Sequence, residues 1–265
     1  MPRLVSGFFV LLALAGSAPG QPARPGQSAP DVGRFLAWAW GDALVLPGAL
    51  TGRHLAYGAA AGGTLALLTF ADVPLMGEQD GLHHRETGIA LDVANEFGNV
   101  LLVGPAAAGL FAATLLTDDD RLQDAAFTSL QSAVYTGIVT SALKGISGRA
   151  RPYRLEGPFE FEPFSGYTAM PSGHTSLAFA IAVPWAVYYP GPLTYGLVVL
   201  AGGTAVARVA RNVHWPSDVV AGAALGAFTG YALARRHLGH GAGAALDLGF
   251  HAETGRPTLR LTVAF

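Results

Sequence analysis

A run of 33 residues without a charged side chain covers positions 175–207, and this run restricts the fold more than any other feature. A helix needs about 20 mostly apolar residues to cross a bilayer, so the run is long enough for two helices. The turn-forming segment Tyr189-Pro-Gly-Pro192 divides it near the middle. Further uncharged stretches lie at 55–71, 97–117, 125–143 and 219–234. The chain is therefore predicted to be all-α, a membrane bundle of six helices.

The composition excludes several other classes of protein. Hydrophobic residues make up 51% of the chain and charged residues 13%, which is about half the charged share of a typical soluble domain. The net charge of −2 provides no basic surface for nucleic acid. The chain has no cysteine, which excludes disulfides, thiolate catalysis and cysteine-bound metals.

The first 20 residues have the pattern of an export signal. Arg3 precedes a short apolar run at 8–15, and small residues follow it. The run is shorter than a spanning helix, which favours a cleaved signal peptide, and an uncleaved N-terminal anchor is the alternative. Residues 21–54 are predicted to form a proline-rich linker and an interfacial helix, because Trp38 and Trp40 are typical of a membrane boundary.

The last apolar stretch contains regularly spaced glycines, and a different pattern follows it. Gly222, Gly226 and Gly230 recur at four-residue spacing, which predicts a close helix–helix contact. After the helical domain at 55–238, residues 239–265 change to an alternating apolar pattern on either side of Glu253-Thr-Gly-Arg256. That pattern predicts a small β-hairpin tail.

Three polar segments interrupt the apolar second half, and the first ends the third predicted helix. Pro152 cannot continue that helix. Lys144 and Arg151 provide an ammonium and a forked guanidinium, a combination that binds phosphate. Taken alone, the segment could also be a basic flank that anchors a membrane helix.

The second polar segment opens the fourth predicted helix. Ser172 is expected to cap this helix, and Gly173 to let an anion approach the free amides of its first turn. His174 at the same end could donate a proton to a leaving oxygen. The alternative is a simple N-cap with a surface histidine.

The third polar segment places two arginines, a histidine and an aspartate in the eleven residues from Arg208 to Asp218. Pro216 suits the first turn of the sixth helix, so Asp218 can reach back to His214. A carboxylate that holds one ring nitrogen leaves the other free to attack. The alternatives are a boundary histidine and a carboxylate that complements the helix dipole. Together, the three segments could surround one tetrahedral anion.

In order and spacing, these segments closely resemble the three-part signature of the type 2 phosphatidic acid phosphatase (PAP2) superfamily. The matching residues are Lys144-x6-Arg151-Pro152, Pro171-Ser172-Gly173-His174 and Arg208-x5-His214-x3-Asp218. The superfamily also contains bacterial class A acid phosphatases and vanadium haloperoxidases. The signature spans 144–218, and the helical core that it implies covers roughly 55–236.

The resemblance implies a role for each signature residue. His214 would be the nucleophile that forms a phosphohistidine, and Asp218 would orient it. His174 would be the general acid for the leaving alcohol and then the base for water. The implied phosphate-binding residues are Lys144, Arg151, Ser172, Gly173 and Arg208. No metal or other cofactor is implied.

The chain departs from the family pattern at Ala207, where a serine usually precedes the arginine, so a hydroxyl contact is missing. We expect this departure to modulate activity and not to abolish it. Arg149, Arg154 and Arg211 are additional cations near the motifs, and the sequence assigns them no catalytic role.

The expected function is metal-independent hydrolysis of a phosphomonoester or pyrophosphate on a lipid, in a bacterial-type cell envelope. The expected partners are a phosphorylated lipid and the membrane, with no nucleic acid. Export favours a site that faces the periplasm or exterior. The alternatives are a soluble periplasmic acid phosphatase for small phosphomonoesters, a vanadium haloperoxidase, and a non-enzymatic lipid-binding envelope protein.

Overall fold

A computed structural model of the chain describes residues 32–48, 62–77 and 85–239, and two strands at 245–250 and 257–262. The predicted signal or anchor at 1–20 and the linker at 21–31 lie outside these residues. Residues 62–69 are helical. The other described helices are α1 (Val32–Gly48), α2 (Asp72–Met76), α3 (Arg85–Glu96), α4 (Val100–Thr114), α5 (Asp120–Ser147), α6 (Gly173–Tyr188), α7 (Pro192–Ala210) and α8 (Pro216–Gly239).

Helix α6 lies at the centre of the bundle, where it packs against α5, α7 and α8. Its residues Ala178, Ile181 and Ala182 are buried in one apolar cluster with Phe97 and Ala201. A helix that is apolar on all sides is stable only when neighbouring elements cover it. The first turn of α6, which carries the second polar segment, is therefore fixed by the core of the protein.

The contact between α6 and α8 depends on the three glycines at four-residue spacing. A Cβ atom on Gly222 would lie 2.6 Å from the Ser172 carbonyl oxygen, and one on Gly226 would lie 2.1 Å from that of Ser176. A Cβ on Gly230 would approach Pro184 to 2.9 Å. The close approach predicted from the glycine spacing is thus confirmed. It brings the start of α8 against the start of α6.

Two of the described helices are long and apolar enough to cross a membrane, α7 with 19 residues and α8 with 24. Residues 88–96 of α3 and helix α4 together would make a third span, bent by 56°. Helix α6 has only 16 residues, and α5 buries polar side chains along its length. The mostly helical fold agrees with the sequence prediction, and the count of six spanning helices is not confirmed.

The buried carboxylate of Asp42 joins helix α1 to α5 and α8. Asp42 accepts a hydrogen bond from Gln131 Nε2 at 2.9 Å and lies 2.8 Å from His237 Nε2. Trp38 stacks on the His237 ring with 4.1 Å between centroids. The predicted helix is present, and its placement at a membrane interface stays a prediction.

The two strands at the C-terminus pair with each other. Strand β1 (Ala245–Phe250) runs antiparallel to β2 (Pro257–Thr262), with Leu246 opposite Leu261 and Leu248 opposite Leu259. The residues between the strands lie outside the described part of the chain. The hairpin tail as a docked unit therefore stays a prediction.

Candidate active site

The three polar segments meet at one end of the bundle. Gly173 lies against Lys144, because a Cβ on the glycine would be 3.6 Å from the lysine Cε. The Ser172 amide donates to the Asp218 carbonyl oxygen at 2.9 Å. The end of α5, the start of α6 and the start of α8 are thus joined directly, as a common anion site requires.

Lys144 lies in the last turn of α5, which extends four residues beyond the uncharged stretch 125–143. Gly148 ends the helix in the left-handed conformation, with φ of 50°. A Cβ at this position would lie 1.7 Å from the Glu162 carbonyl oxygen, so the tight passage into the next loop requires glycine. This turn directs residues 149–151 back toward the site.

Thr168 holds the two cations of the first segment. The Lys144 ammonium donates to its carbonyl oxygen. Arg151 Nη2 donates to its hydroxyl at 3.4 Å. Both cationic side chains are half-buried. These bonds use one donor of each cation, which leaves the others for an anion.

Arg208 lies in the last turn of α7, and one N–H group of its guanidinium is not used in a hydrogen bond within the described part of the chain. Its Nη1 donates to Asn95 Oδ1 at 3.0 Å. Its Nε is buried and has no hydrogen-bond partner among the described residues. A buried guanidinium N–H without an acceptor is costly unless a ligand supplies one. Arg208 is therefore arranged to bind an anion.

The Ser172 hydroxyl does not cap α6, and the expectation that it does so was wrong. Ser172 is fully buried, and its Oγ accepts a hydrogen bond from Thr175 Oγ1 at 3.1 Å. Thr175 reaches this oxygen from one turn further along the helix. Gly173 is the first residue of α6, so its amide belongs to the free first turn. The anion-binding feature here is the start of the helix itself.

His214 and Asp218 form a buried pair at the start of α8. Asp218 Oδ2 lies 3.3 Å from His214 Nδ1 and also accepts from the Trp215 amide at 2.9 Å. The histidine side chain is 2% exposed and the aspartate 0%. A carboxylate at Nδ1 stabilises the tautomer that carries its proton there. Nε2 is then the ring nitrogen with a free lone pair.

The electrostatic surroundings keep both histidines of the site neutral at pH 7. Burial lowers the pKa of His214 and the contact with Asp218 raises it in part, so that the resulting pKa is about 4. Burial and the nearby Arg208 together lower the pKa of His174 to about 4 as well. A neutral His214 is in the form that can attack. His174 would take up a proton more readily once an anion has offset the nearby positive charges.

The sequence assigns Arg149 no role, but in the structure its side chain is fully buried and contacts Asp218. Its Nη1 donates to Asp218 Oδ1 at 2.7 Å, and its Nη2 donates to Asp72 Oδ2 at the same distance. Asp72 opens α2 and is also fully buried. A single charge at the end of the uncharged stretch 55–71 was the available sequence signal for Asp72.

The other unassigned cations lie apart from this network. Arg154 stacks over the Tyr167 ring at 4.6 Å. Arg211 forms an ion pair with Asp92. Asn95, the partner of Arg208, was not predicted, since an amide carries little signal in a sequence. Among the described residues, no group of three or more histidine, aspartate or glutamate side chains is arranged to hold a metal ion.

Comparison with known proteins identifies a family for the part of the chain that carries this site. Residues 125–240 match the PAP2 superfamily, and the signature from Lys144 to Asp218 lies within them. Residues 125–240 are therefore a domain of the PAP2 type.

Two named relatives are similar to part of this chain. The chain is 36% identical over 102 residues to a protein named lipid A 1-phosphatase from Rhizobium johnstonii, covering 37% of this chain and 41% of that one. It is 36% identical over 100 residues to a lipid A 1-phosphatase from Rhizobium etli, covering 36% and 43%. The match thus spans about two fifths of these relatives.

A solved structure shares the fold. It is a transmembrane PAP2 type phosphatidylglycerolphosphate phosphatase from Bacillus subtilis, and its comparison with this chain gives a TM-score of 0.51 and 17% identity. The match covers 76% of this chain and 90% of that one. At this identity the likeness concerns the helical fold alone.

Anion affinity should depend on the charge of Lys144. Burial and the nearby Arg151 lower the pKa of Lys144 to about 8. Its charge is present below this pH and is lost above it, so the Kd for inorganic phosphate should rise about tenfold between pH 7.5 and 9.5, the effect of losing one charged hydrogen bond. In Lys144→Arg the rise should be absent, since arginine stays charged. Calorimetric titration of the detergent-solubilised protein measures both. Identical pH profiles for the two proteins would contradict the assignment of Lys144 to the anion site.

Proposed function

We propose that the protein is a phosphatase that removes a phosphate group from a membrane lipid through a phosphohistidine at His214. The observation that carries this proposal is the buried pair of His214 and Asp218. It lies beside the side chains of Lys144, Arg151 and Arg208, which have N–H donors left to bind an anion. Lys144 lies against Gly173 at the start of α6, and the Ser172 amide in the same segment donates to the carbonyl oxygen of Asp218. A nucleophile and the groups that would hold its target are therefore in one place.

In the first step, the Nε2 lone pair of His214 forms a bond to phosphorus and the ester P–O bond breaks. The bound phosphate offsets the nearby positive charges, so that His174 has taken up a proton before this step. The leaving oxygen keeps the electron pair of the broken bond and takes that proton from His174. The cations Lys144, Arg151 and Arg208 offset the charge on the other phosphate oxygens. Positioning and electrostatic stabilisation carry most of phosphoryl-transfer catalysis, so these contacts matter as much as the nucleophile.

In the second step, water attacks the phosphohistidine. His174, now neutral, takes a proton from that water, and the P–N bond breaks with its electron pair returning to His214. Inorganic phosphate leaves, and the starting protonation of both histidines is restored. This exchange of roles by one residue follows from microscopic reversibility.

The position of the site supports a lipid as substrate. Arg208 lies in the last turn of α7 and Asp218 in the first turn of α8, and both helices are long and apolar enough to cross a membrane. The phosphate would thus bind at the end of the apolar layer while the lipid tails stay within it. The names of the two Rhizobium relatives make a lipid A phosphate the first candidate substrate. The wider class includes phosphatidic acid and isoprenoid pyrophosphates.

We place the protein in a bacterial cell envelope with the site facing the periplasm. Asp218 and Arg235 lie at opposite ends of α8, and Arg235 is exposed. Basic residues at helix ends favour the cytoplasmic side. That rule puts the end of α8 inside and the site outside.

A reporter fused after Leu238 tests this orientation. A fluorescent protein that folds only in the cytoplasm should be bright at this position, and a periplasmic alkaline phosphatase should be inactive. The matched pair of fusions controls for expression. Active alkaline phosphatase with a dark fluorescent fusion would reverse the orientation.

The roles of the two histidines can be separated by the leaving group. His214→Ala should lower kcat/KM by at least about 10³-fold on every phosphate ester, because it removes the proposed nucleophile. His174→Ala should lose about 10²- to 10⁴-fold on an alkyl ester such as phosphatidic acid, which needs a proton on its leaving oxygen. It should lose far less on p-nitrophenyl phosphate, whose leaving group needs none.

Phosphate release from lipid A 1-phosphate, phosphatidic acid and p-nitrophenyl phosphate measures all three effects. Arg211→Gln is the matched control, since this cation pairs with Asp92 and should retain activity within about threefold. Activity that survives His214→Ala would reject the nucleophile. Turnover of small soluble esters that equals turnover of the lipids would favour a small-molecule phosphatase instead.

A further inference from the structure

Behind His214 and Asp218 lies a second pair of charged residues that the signature leaves unassigned. Arg149 follows the glycine that ends α5. Asp72 opens α2 and lies outside residues 125–240, the segment that matches the superfamily. Both side chains are 0% exposed. Two charges are removed from water only at a cost of several kcal/mol each, and a complete set of hydrogen bonds has to offset that cost.

Arg149 has this complete set. Its Nε and Nη2 donate to the Pro158 carbonyl oxygen at 3.0 and 2.6 Å. The remaining N–H groups donate to Asp72 Oδ2, Ser217 Oγ and Asp218 Oδ1, each at 2.7 Å. A guanidinium has five N–H groups, so each of them has a partner. Arg149 is therefore held rigidly and has no donor left for substrate.

Asp72 fastens the same guanidinium to the start of α8. Its Oδ1 accepts from the Ser217 amide at 2.8 Å, and its Oδ2 accepts from the Ser217 hydroxyl at 2.6 Å. The amide is one of the free N–H groups of the first helical turn, so Asp72 supplies the cap of α8 from a distant part of the chain. Ser217 lies next to Asp218. Asp72 thus acts on the backbone that carries Asp218 as well as on Arg149.

The two oxygens of Asp218 are consequently assigned to different partners. Arg149 occupies Oδ1, and Oδ2 is left for His214 Nδ1 and the Trp215 amide. The carboxylate cannot rotate without losing a charged hydrogen bond. The orientation of the His214 ring, and the proton on its Nδ1, follow from this assignment.

The charges of the network also match the proposed intermediate. With both carboxylates ionised, Asp72, Arg149 and Asp218 sum to −1, and His214 is neutral before the reaction. When Nε2 bonds to phosphorus while Nδ1 keeps its proton, the imidazole ring becomes cationic. The four side chains then sum to zero, and the charge of the phosphoryl group faces Lys144, Arg151 and Arg208. Without the Asp72 charge, the same step would create a buried net charge of +1, which is unfavourable at low dielectric constant.

We propose that Asp72 and Arg149 are positioning residues that fix Asp218 against His214 and balance the charge of the phosphohistidine. This proposal rests on the proposed function, since it assigns the network to the same reaction. Neither residue touches substrate. The network therefore acts on the rate of the chemical steps and leaves phosphate binding to Lys144, Arg151 and Arg208.

Asp72→Asn is the first test, because it removes the charge and keeps the shape. We expect kcat to fall about 10- to 100-fold, as for other partners that orient a catalytic histidine from behind, with KM and the Kd for inorganic phosphate unchanged within about threefold. Ser217→Ala removes a neutral link in the same network. It should lower kcat about 3- to 10-fold, the value of one hydrogen bond, without leaving a charge unpaired.

Asp42→Asn is the matched control. Asp42 is another buried carboxylate with histidine and arginine partners, at the opposite end of α8. It lies roughly 28 Å along the helix from Asp218, at about 1.5 Å per residue. Its loss should lower thermal stability about as much as Asp72→Asn does and leave kcat within about twofold. If Asp42→Asn lowers kcat as much as Asp72→Asn does, the network is structural only and the proposal fails.

A second readout does not depend on activity. Nitrogen NMR of histidine-labelled protein, with the His214 signal identified by its absence in His214→Gln, reports which ring nitrogen carries the proton. We expect the Nδ1–H form in the wild type and a measurable loss of this preference in Asp72→Asn and in Ser217→Ala. A wild type that releases no phosphate from any ester, but shows this change, would reject the proposed function and retain the positioning role. An unchanged tautomer together with unchanged kcat in both variants would overturn the positioning role itself.

Discussion

The ion pair between Arg149 and Asp218 is the interaction on which the site depends. Both side chains are completely buried, and their closest atoms are 2.7 Å apart. Removal of one partner from such a pair typically costs about 3–5 kcal/mol, a large part of the stability of a domain. The end of α5 and the start of α8 therefore cannot separate in the folded protein. Asp72 holds α2 in the same place, because it bonds to Arg149 and to the Ser217 amide.

The polar side chains around this ion pair lie at one end of a bundle of mostly apolar helices. Helices α6 and α8 pack closely through glycine. Polar side chains of the signature are confined to helix ends, where free amides and loop carbonyls can bind them. The Lys144 ammonium reaches the Thr168 carbonyl oxygen, and Arg208 reaches Asn95. The chemistry of the protein is thus concentrated in one layer at the end of α7 and the start of α8.

Local spacing was the part of the site that the sequence could predict. The four-residue separation of His214 and Asp218 in a helix start predicts their contact, and the glycine spacing predicts the approach of α8 to α6. The contacts of Arg149 with Asp72 and of Arg208 with Asn95 join residues 77 and 113 positions apart. Nothing in the pattern of a single sequence identifies such partners. Ser172 shows a different limit, since its type favours a cap while the fold gives its hydroxyl to Thr175.

The most direct test of the central claim is to trap the intermediate. Wild-type protein mixed with ³²P-labelled lipid phosphate and denatured within one turnover should carry label on His214. A phosphoramidate bond is stable in alkali and is lost in acid, and His214→Ala should carry no label. Label that is stable in acid and lost in alkali, as expected for an acyl phosphate on Asp218, would contradict the claim. So would steady phosphate release with no labelled protein at any time.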